Sequence, residues 1–193
     1  MDDAQRLSPG EALHELKAGN RAYLQATGNP SDISPSLRVE TCECGQHPFA
    51  TIVTCADSRV VPEHLFMVGL GRIFVIRVAG NVIGNTQLGS VFYAMSHLGT
   101  RLVVVLGHTH CGAIAAAIEG GAQGSVGVIV DRIEEAIGAE TDDYRACVLN
   151  VRHSMRCLHD DPEVTALVDQ GDFRIMGAVY HIDSGRVEFL DEG

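Results

Sequence analysis

No apolar run in this sequence is long enough to cross a bilayer. The longest, residues 102–106, falls far short of the roughly 18 residues that a span needs. Positive charge is also scarce: 14 Lys and Arg stand against 25 Asp and Glu, a formal net charge of −11. Phosphate-bearing surfaces would be repelled, so nucleic acid and anionic membrane are excluded as partners. An anionic substrate must therefore be met by local positive charge. There is no internal repeat and no low-complexity tract, which excludes a solenoid and a disordered linker. The opening residues 1–4 are acidic and lack the basic and apolar segments of a secretory signal, so a cytoplasmic protein is expected.

What remains is an ordinary globular composition, 46% hydrophobic and 20% charged over 193 residues, which suits one domain with a sizeable core. Six cysteines in a chain expected inside the cell point to metal or thiolate chemistry before disulfides. Ser8-Pro9-Gly10-Glu11 carries an N-cap, a Pro at the first helical position and a Glu three residues after the cap. Leu13 and Leu16 continue that helix to an expected break at Gly19-Asn20. It has little core of its own and is expected to pack on something else, such as a partner subunit. A polar connection over 28–36 leads to a second short helix, opened by Ser34-Pro35 and ended by Gly45.

From there strands and helices alternate. Compact apolar runs at 49–54, 73–78 and 102–106 read as parallel strands buried on both faces, because they are continuous rather than alternating. Leu88, Val91, Phe92, Met95 and Leu98 fall at helical spacing, as do residues 112–119 and 126–137. Thr141-Asp142-Asp143 caps a longer helix reaching about His159. Residues 173–182 form a fourth core strand, and the turn at Asp183-Ser184-Gly185 sends 187–190 back as an antiparallel edge. The expected fold class is α/β: a mostly parallel four-stranded sheet with an antiparallel fifth edge strand, flanked by helices, with a helical N-terminal extension.

Ligands of such sheets bind beyond the carboxyl ends of the strands. Two of those ends hold Cys55-Ala56-Asp57-Ser58-Arg59 and His108-Thr109-His110-Cys111-Gly112. Thiolate and imidazole are the preferred ligands of Zn²⁺, and three protein ligands leave the open position of a catalytic site. Asp57 beside the metal can accept a proton, and Arg59 can grip its carboxylate with two prongs. Taken singly, Cys55 reads as a small buried hydrophobe and His108 as a satisfied core histidine. Their conjunction at two strand ends puts zinc first and thiol or redox chemistry second. Only three residues separate Cys55 from Arg59, too few for a phosphate-cradling loop. Cys42 and Cys44 are too close to pair comfortably, and Cys147 and Cys157 read as packing residues on a helix.

These segments resemble a β-class carbonic anhydrase, whose signatures are C-x-D-S-R and H-x-x-C. The similarity runs from Gly19-Asn20-Arg21 and Gln46-x-Pro48 through Cys55-Ala56-Asp57-Ser58-Arg59-Val60. It continues in Phe74-Val75-Ile76-Arg77-x-Ala79-Gly80-Asn81, Tyr93-Ala94, Gly107-His108-x-x-Cys111-Gly112 and Gly177-x-x-Tyr180, covering nearly the whole chain. The resemblance implies one domain over 1–193, with 1–45 as a helical arm packing on a partner subunit. It implies Zn²⁺ on Cys55, His108 and Cys111, Asp57 and Arg59 as the supporting dyad, and reversible hydration of CO₂ to bicarbonate by zinc-bound hydroxide. Gln46, Phe74 and Tyr93 would line the substrate pocket, with plain core packing an equal account of the two aromatics, and the amide of Gly112 would face it. The cleft would form between two chains, as a homodimer or homotetramer.

Three positions depart from the family pattern. Val78 stands where Asn is frequent and Phe92 where Glu is frequent. Ile52 stands where bicarbonate-regulated members carry Trp, a residue this chain lacks altogether, although Arg77 is kept. A site open at all times is therefore expected. Two thiolates weaken zinc as a Lewis acid, so the activity should rise above neutral pH. His110 is a candidate proton carrier. Hydrolysis of CS₂ or COS on the same scaffold, or a non-catalytic zinc protein closed by Asp57, are the competing readings.

Overall fold

Residues 50–54 and 102–108 are buried along their whole length, and that decides the architecture, because only a sheet covered on both faces hides two such strands. The computed structural model describes residues 6–28 and 31–191. The signal-peptide reading at 1–4, and Asn29 and Pro30 of the expected connection, lie outside the described residues. Strands β1 (Ala50–Thr54), β2 (Ile73–Arg77), β3 (Leu102–His108) and β4 (Arg174–Tyr180) are parallel. The short β5 (Val187–Phe189) pairs antiparallel with β4, and the strand order is β2-β1-β3-β4-β5. The expected α/β class and its antiparallel edge are what the chain adopts. After β2 the chain crosses to the far side of β1, so a crevice opens between the carboxyl ends of β1 and β3.

One face of the sheet is covered by α4 (Asn85–Tyr93), α5 (Gly112–Glu119), α6 (Gly124–Ile137) and α7 (Asp143–His159), whose Val91, Ile114, Ile133 and Val151 meet Val53, Val103 and Val105. On the other face α1 (Pro9–Tyr23) and α3 (Pro62–Leu65) bring Leu16 and Leu65 onto Ile52, Val104 and Leu106. Among the described residues no single helix is long and apolar enough to cross a membrane. The helix expected over 88–98 is α4 continued by a π-turn over Ala94–Leu98, closed at Gly99. α3, α8 (Pro162–Val168) and a 3₁₀ turn at Ala79–Asn81 were not anticipated, although Pro62 and Pro162 stand at first helical positions.

The Ser8–Glu11 capping box opens α1 as expected, with the Ser8 amide donating to the Glu11 carboxylate at 2.8 Å. The break expected at Gly19-Asn20 is absent, and the helix runs on to Tyr23. The pair is instead where α1 docks on its own chain. A Cβ on residue 19 would collide with the Phe66 carbonyl. The buried Asn20 amide donates to the carbonyls of Leu65 (3.2 Å) and Gly185 (3.0 Å) and accepts from the Val187 amide (2.9 Å). Ala12 and Leu16 are fully buried, so this helix has more core within the chain than its sequence suggested. By contrast α2 (Pro35–Cys44), capped by Ser34 and ended at Gly45, buries no residue.

Asn20→Ala strips partners from three backbone groups. At about 1–3 kcal/mol for each buried group left unpaired, the variant should lose at least roughly 3 kcal/mol of stability, measured by urea unfolding. Asn20→Asp keeps the acceptor for Val187 but turns a buried carboxylate oxygen on the Leu65 and Gly185 carbonyls, so it should lose at least as much.

Candidate metal centre and active site

Three donors converge at the crevice. Cys55 follows the last residue of β1, His108 ends β3, and Cys111 is the N-cap of α5. All three are buried, and one ligand atom from each lies within 4.8 Å of the others. The turn that carries His108 to Cys111 places His110 at φ +56, and its amide is held by both Asp143 carboxylate oxygens at 3.1 and 2.9 Å.

The histidine's tautomer follows from its partner. His108 Nδ1 lies 2.9 Å from the Thr109 carbonyl, which can only accept, so Nδ1 carries the hydrogen. Nε2 is then a bare lone pair, buried and without a hydrogen-bond partner among the described residues. It faces the two sulfurs, which stand 4.0 Å apart. Zn–S bonds of about 2.3 Å in tetrahedral geometry would separate two thiolates by about 3.8 Å, so the donor set fits zinc.

The contact between the two sulfurs moves their acidities in opposite directions. The neighbouring Cys111 S–H draws the Cys55 thiol well below the ordinary range, against the opposing effect of burial, and the amides of Asp57 (3.4 Å) and Gly80 (3.3 Å) add to it. The same contact with Cys55, and then burial, push Cys111 up, although Ala113 and Ile114 in the first turn of α5 point their amides at its sulfur. Burial would lower the His108 pKa, but the combined influence of Cys55, the Thr109 carbonyl and Asp57 raises it. A divalent cation would favour both thiolates and so reverse the pressure on Cys111.

Asp57 and Arg59 form the fork expected of them. Arg59 Nε donates to Asp57 Oδ1 at 3.0 Å and Nη2 donates to Oδ2 at 2.7 Å, while the Arg59 amide donates to Oδ1 at 2.9 Å. This grip holds the Asp57 carboxyl down to about 2. Its Oδ2 lies 4.0 Å from His108 Nε2, on the edge of the donor cluster. Arg77 supports the same segment from beneath, donating to the carbonyls of Cys55 (3.1 Å) and Asp57 (2.6 Å).

Two supporting residues escaped the sequence reading. Asn150 Nδ2 donates to the Gly80 carbonyl at 2.7 Å, and Ser154 Oγ donates to the Asn81 carbonyl at 3.0 Å. They fix the 3₁₀ turn whose Gly80 amide meets Cys55. Gly80 has φ +68, and a Cβ there would come within 2.6 Å of Ile133, so only glycine fits. The signal was present as two polar residues one turn apart on the otherwise apolar buried face of α7.

The expected pocket residues do not gather around the donors within one chain. Gly112 does, as the first residue of α5. Gln46 is exposed and precedes β1, at the opposite end of the strand from Cys55. Phe74 pairs with Thr51, four residues before Cys55 and roughly 13 Å along the strand. Tyr93 is 44% exposed, its ring 6.2 Å from that of Phe74 and stacked on His97. Val78 continues the strand pairing with Thr54, and Ile52 is core. The His110 ring is exposed, as are Cys42 and Cys44, whereas Cys147 is buried behind Gly107.

A doubly covered α/β sheet with a Cys-His-Cys cluster at its switch point defines a narrow class of protein, and comparison with known proteins agrees. A family model described as carbonic anhydrase matches residues 50–187. Carbonic anhydrase 2 of Mycobacterium tuberculosis is 34% identical, over 95% of this chain and 94% of that protein. The solved structure of a Coccomyxa β-carbonic anhydrase in complex with acetazolamide has a TM-score of 0.69 at 27% identity, covering 82% of this chain and 86% of that one. Tetrameric β-carbonic anhydrases from Sordaria macrospora share the fold, with a TM-score of 0.71 at 20% identity over 94% of each chain. The chain belongs to the β-class carbonic anhydrase family and is an enzyme of CO₂ hydration.

Because Asp57 is held below its ordinary 3.8, it ionises more readily folded than unfolded. Its contribution to stability is present above 3.8 and is lost as pH falls through about 2. Arg59→Ala should move the Asp57 titration from about 2 up toward 3.8, read from its carboxyl carbon by NMR.

Proposed function

We propose that Cys55, His108 and Cys111 hold Zn²⁺ and that this site carries out the hydration of CO₂. The observation that carries the reading is the His108 lone pair, buried and unpaired, facing two thiols. Zn²⁺ held there supplies a Lewis acid that makes a nucleophile of water near neutral pH. Asp57 aims that water: Arg59 keeps it ionised and occupies both of its oxygens from one side, leaving the remaining lone pairs toward the donors. To become a fourth metal ligand, Asp57 would have to shift away from a fork that anchors both of its oxygens. That favours a site that stays open over one closed by Asp57. Arg59 and the first turn of α5, beginning at Gly112, offer the local positive potential that an anionic product needs on a chain of charge −11.

The substrate wall is supplied by a second copy of the chain. Gln46, Phe74 and Tyr93 lie apart from the donors of their own subunit, and α2 has no buried residue, with Ile33 and Val39 left 66% and 55% exposed near it. In a dimer the partner's Gln46, Phe74 and Tyr93 would complete the wall around the donors, and the N-terminal arm over 1–45 would pack across the neighbour. Pairing of such dimers gives the tetramer named for the Sordaria proteins.

Stopped-flow CO₂ hydration with metal analysis tests the site. Chelation should abolish turnover and Zn²⁺ should restore it, and Asp57→Asn should lower kcat at least about 100-fold with zinc retained. Full turnover in the chelated protein or in that variant would refute the mechanism. The shared cleft has its own test. Mixing Gln46→Ala and Asp57→Asn chains should restore about a quarter of the activity, because half the dimers are mixed and each of those has one intact site. No recovery would place Gln46 in the site of its own chain.

A further inference from the structure

A second concave site lies at the other end of the sheet. A cavity of about 500 Å³ opens between α7, the end of α8, the start of β4 and the end of β5. That is ligand-sized, within the roughly 300–1,000 Å³ of small-molecule pockets. Its walls include Met155, Val168 and Phe173. It is not a slack region of core: in the adjoining stretch of β4, a Cβ on Gly177 would come within 2.8 Å of the Met155 sulfur.

The charge around it runs against the rest of the chain. Arg152, Arg156 and Arg174 line the cavity, against Asp191 as its one carboxylate among the described residues. Arg152 and Arg156 stand one helical turn apart on α7, both exposed and neither ion-paired among the described residues. Like charges at this spacing repel by a few tenths of a kcal/mol. A chain carrying −11 thus concentrates paired cations beside one apolar hollow.

We propose that this cavity binds an organic anion with an apolar body: the rings or chain fill the hollow, and the carboxylate, sulfonate or phosphate is gripped by Arg152 and Arg156. The site is separate from the CO₂ centre. Arg174 begins the strand whose last residue, Tyr180, pairs with His108, roughly 20 Å away along β4.

Two fluorescent probes with nearly the same rings test it on the zinc-loaded full chain: 8-anilino-1-naphthalenesulfonate and the uncharged N-phenyl-1-naphthylamine. The sulfonate should bind once per chain with a Kd at least ten-fold lower than the neutral probe. Arg152→Glu with Arg156→Glu should erase that preference and leave CO₂ hydration unchanged. Val168→Trp, which fills the hollow, should weaken both probes at least ten-fold. If that variant fails to fold, the charge-reversal pair decides alone. Equal affinity for the two probes, or sulfonate binding that survives the double reversal, would overturn the proposal. So would sedimentation showing that the reversal lowers the association state, since the face would then be a contact between subunits.

Discussion

Thr54 and Leu106 face each other across the parallel pair of β1 and β3, and the Thr54 hydroxyl donates to the Leu106 carbonyl at 2.7 Å. That bond pins the register at the point where both strands release their functional residues. A slip of one residue would turn every side chain of β1 to the opposite face and carry Cys55 away from His108. Burial on both faces supports the same register, because Val53 and Val105 belong to one core and Ile52 and Val104 to the other. The donor cluster is thus a consequence of sheet packing, and the loops only complete it.

What the loops complete is an electrostatic balance. Two buried sulfurs and a carboxylate are gathered in the crevice, and such groups repel one another as they ionise unless donors surround them. The amides of Asp57 and Gly80 address one sulfur and those of Ala113 and Ile114 the other, while Arg59 takes the carboxylate. Arg77 contributes differently: it binds two carbonyls, so it fixes the path of the backbone that carries Cys55 and Asp57. The charge of the whole chain is no guide to this local field.

The parts legible in the sequence were those determined by neighbours in sequence. Strand runs, the Ser8 and Asp142 caps, the turn before β5 and the two strand-end motifs all show themselves within a few residues. The parts that were not legible depend on distant partners. Gly19-Asn20 has the composition of a helix stop, yet it is kept helical by Phe66 and by bonds to residues 45 and 165 positions away. Phe74 sits in a motif beside Arg77, but the three-residue step between them moves it well back from the crevice, and no local pattern reports that distance. Asn150 acts on Gly80 across 70 residues of chain.

That last contact shows why α7 carries polar groups on a face turned to the core. A buried amide or hydroxyl is costly unless it is paired, so Asn150 and Ser154 are tolerable only while the Ala79–Asn81 turn stays in place beneath them. In return Asn150 pairs the buried carbonyl of the left-handed Gly80. At the start of the same helix, Asp143 holds the His110 amide, and with it the turn from His108 to Cys111. One helix therefore reaches both sulfurs, Cys55 through the turn whose Gly80 amide meets it and Cys111 through the turn at His110. The placement that the strand ends give the two thiols is thus braced from one side by Asp143 and Asn150, two turns apart along α7.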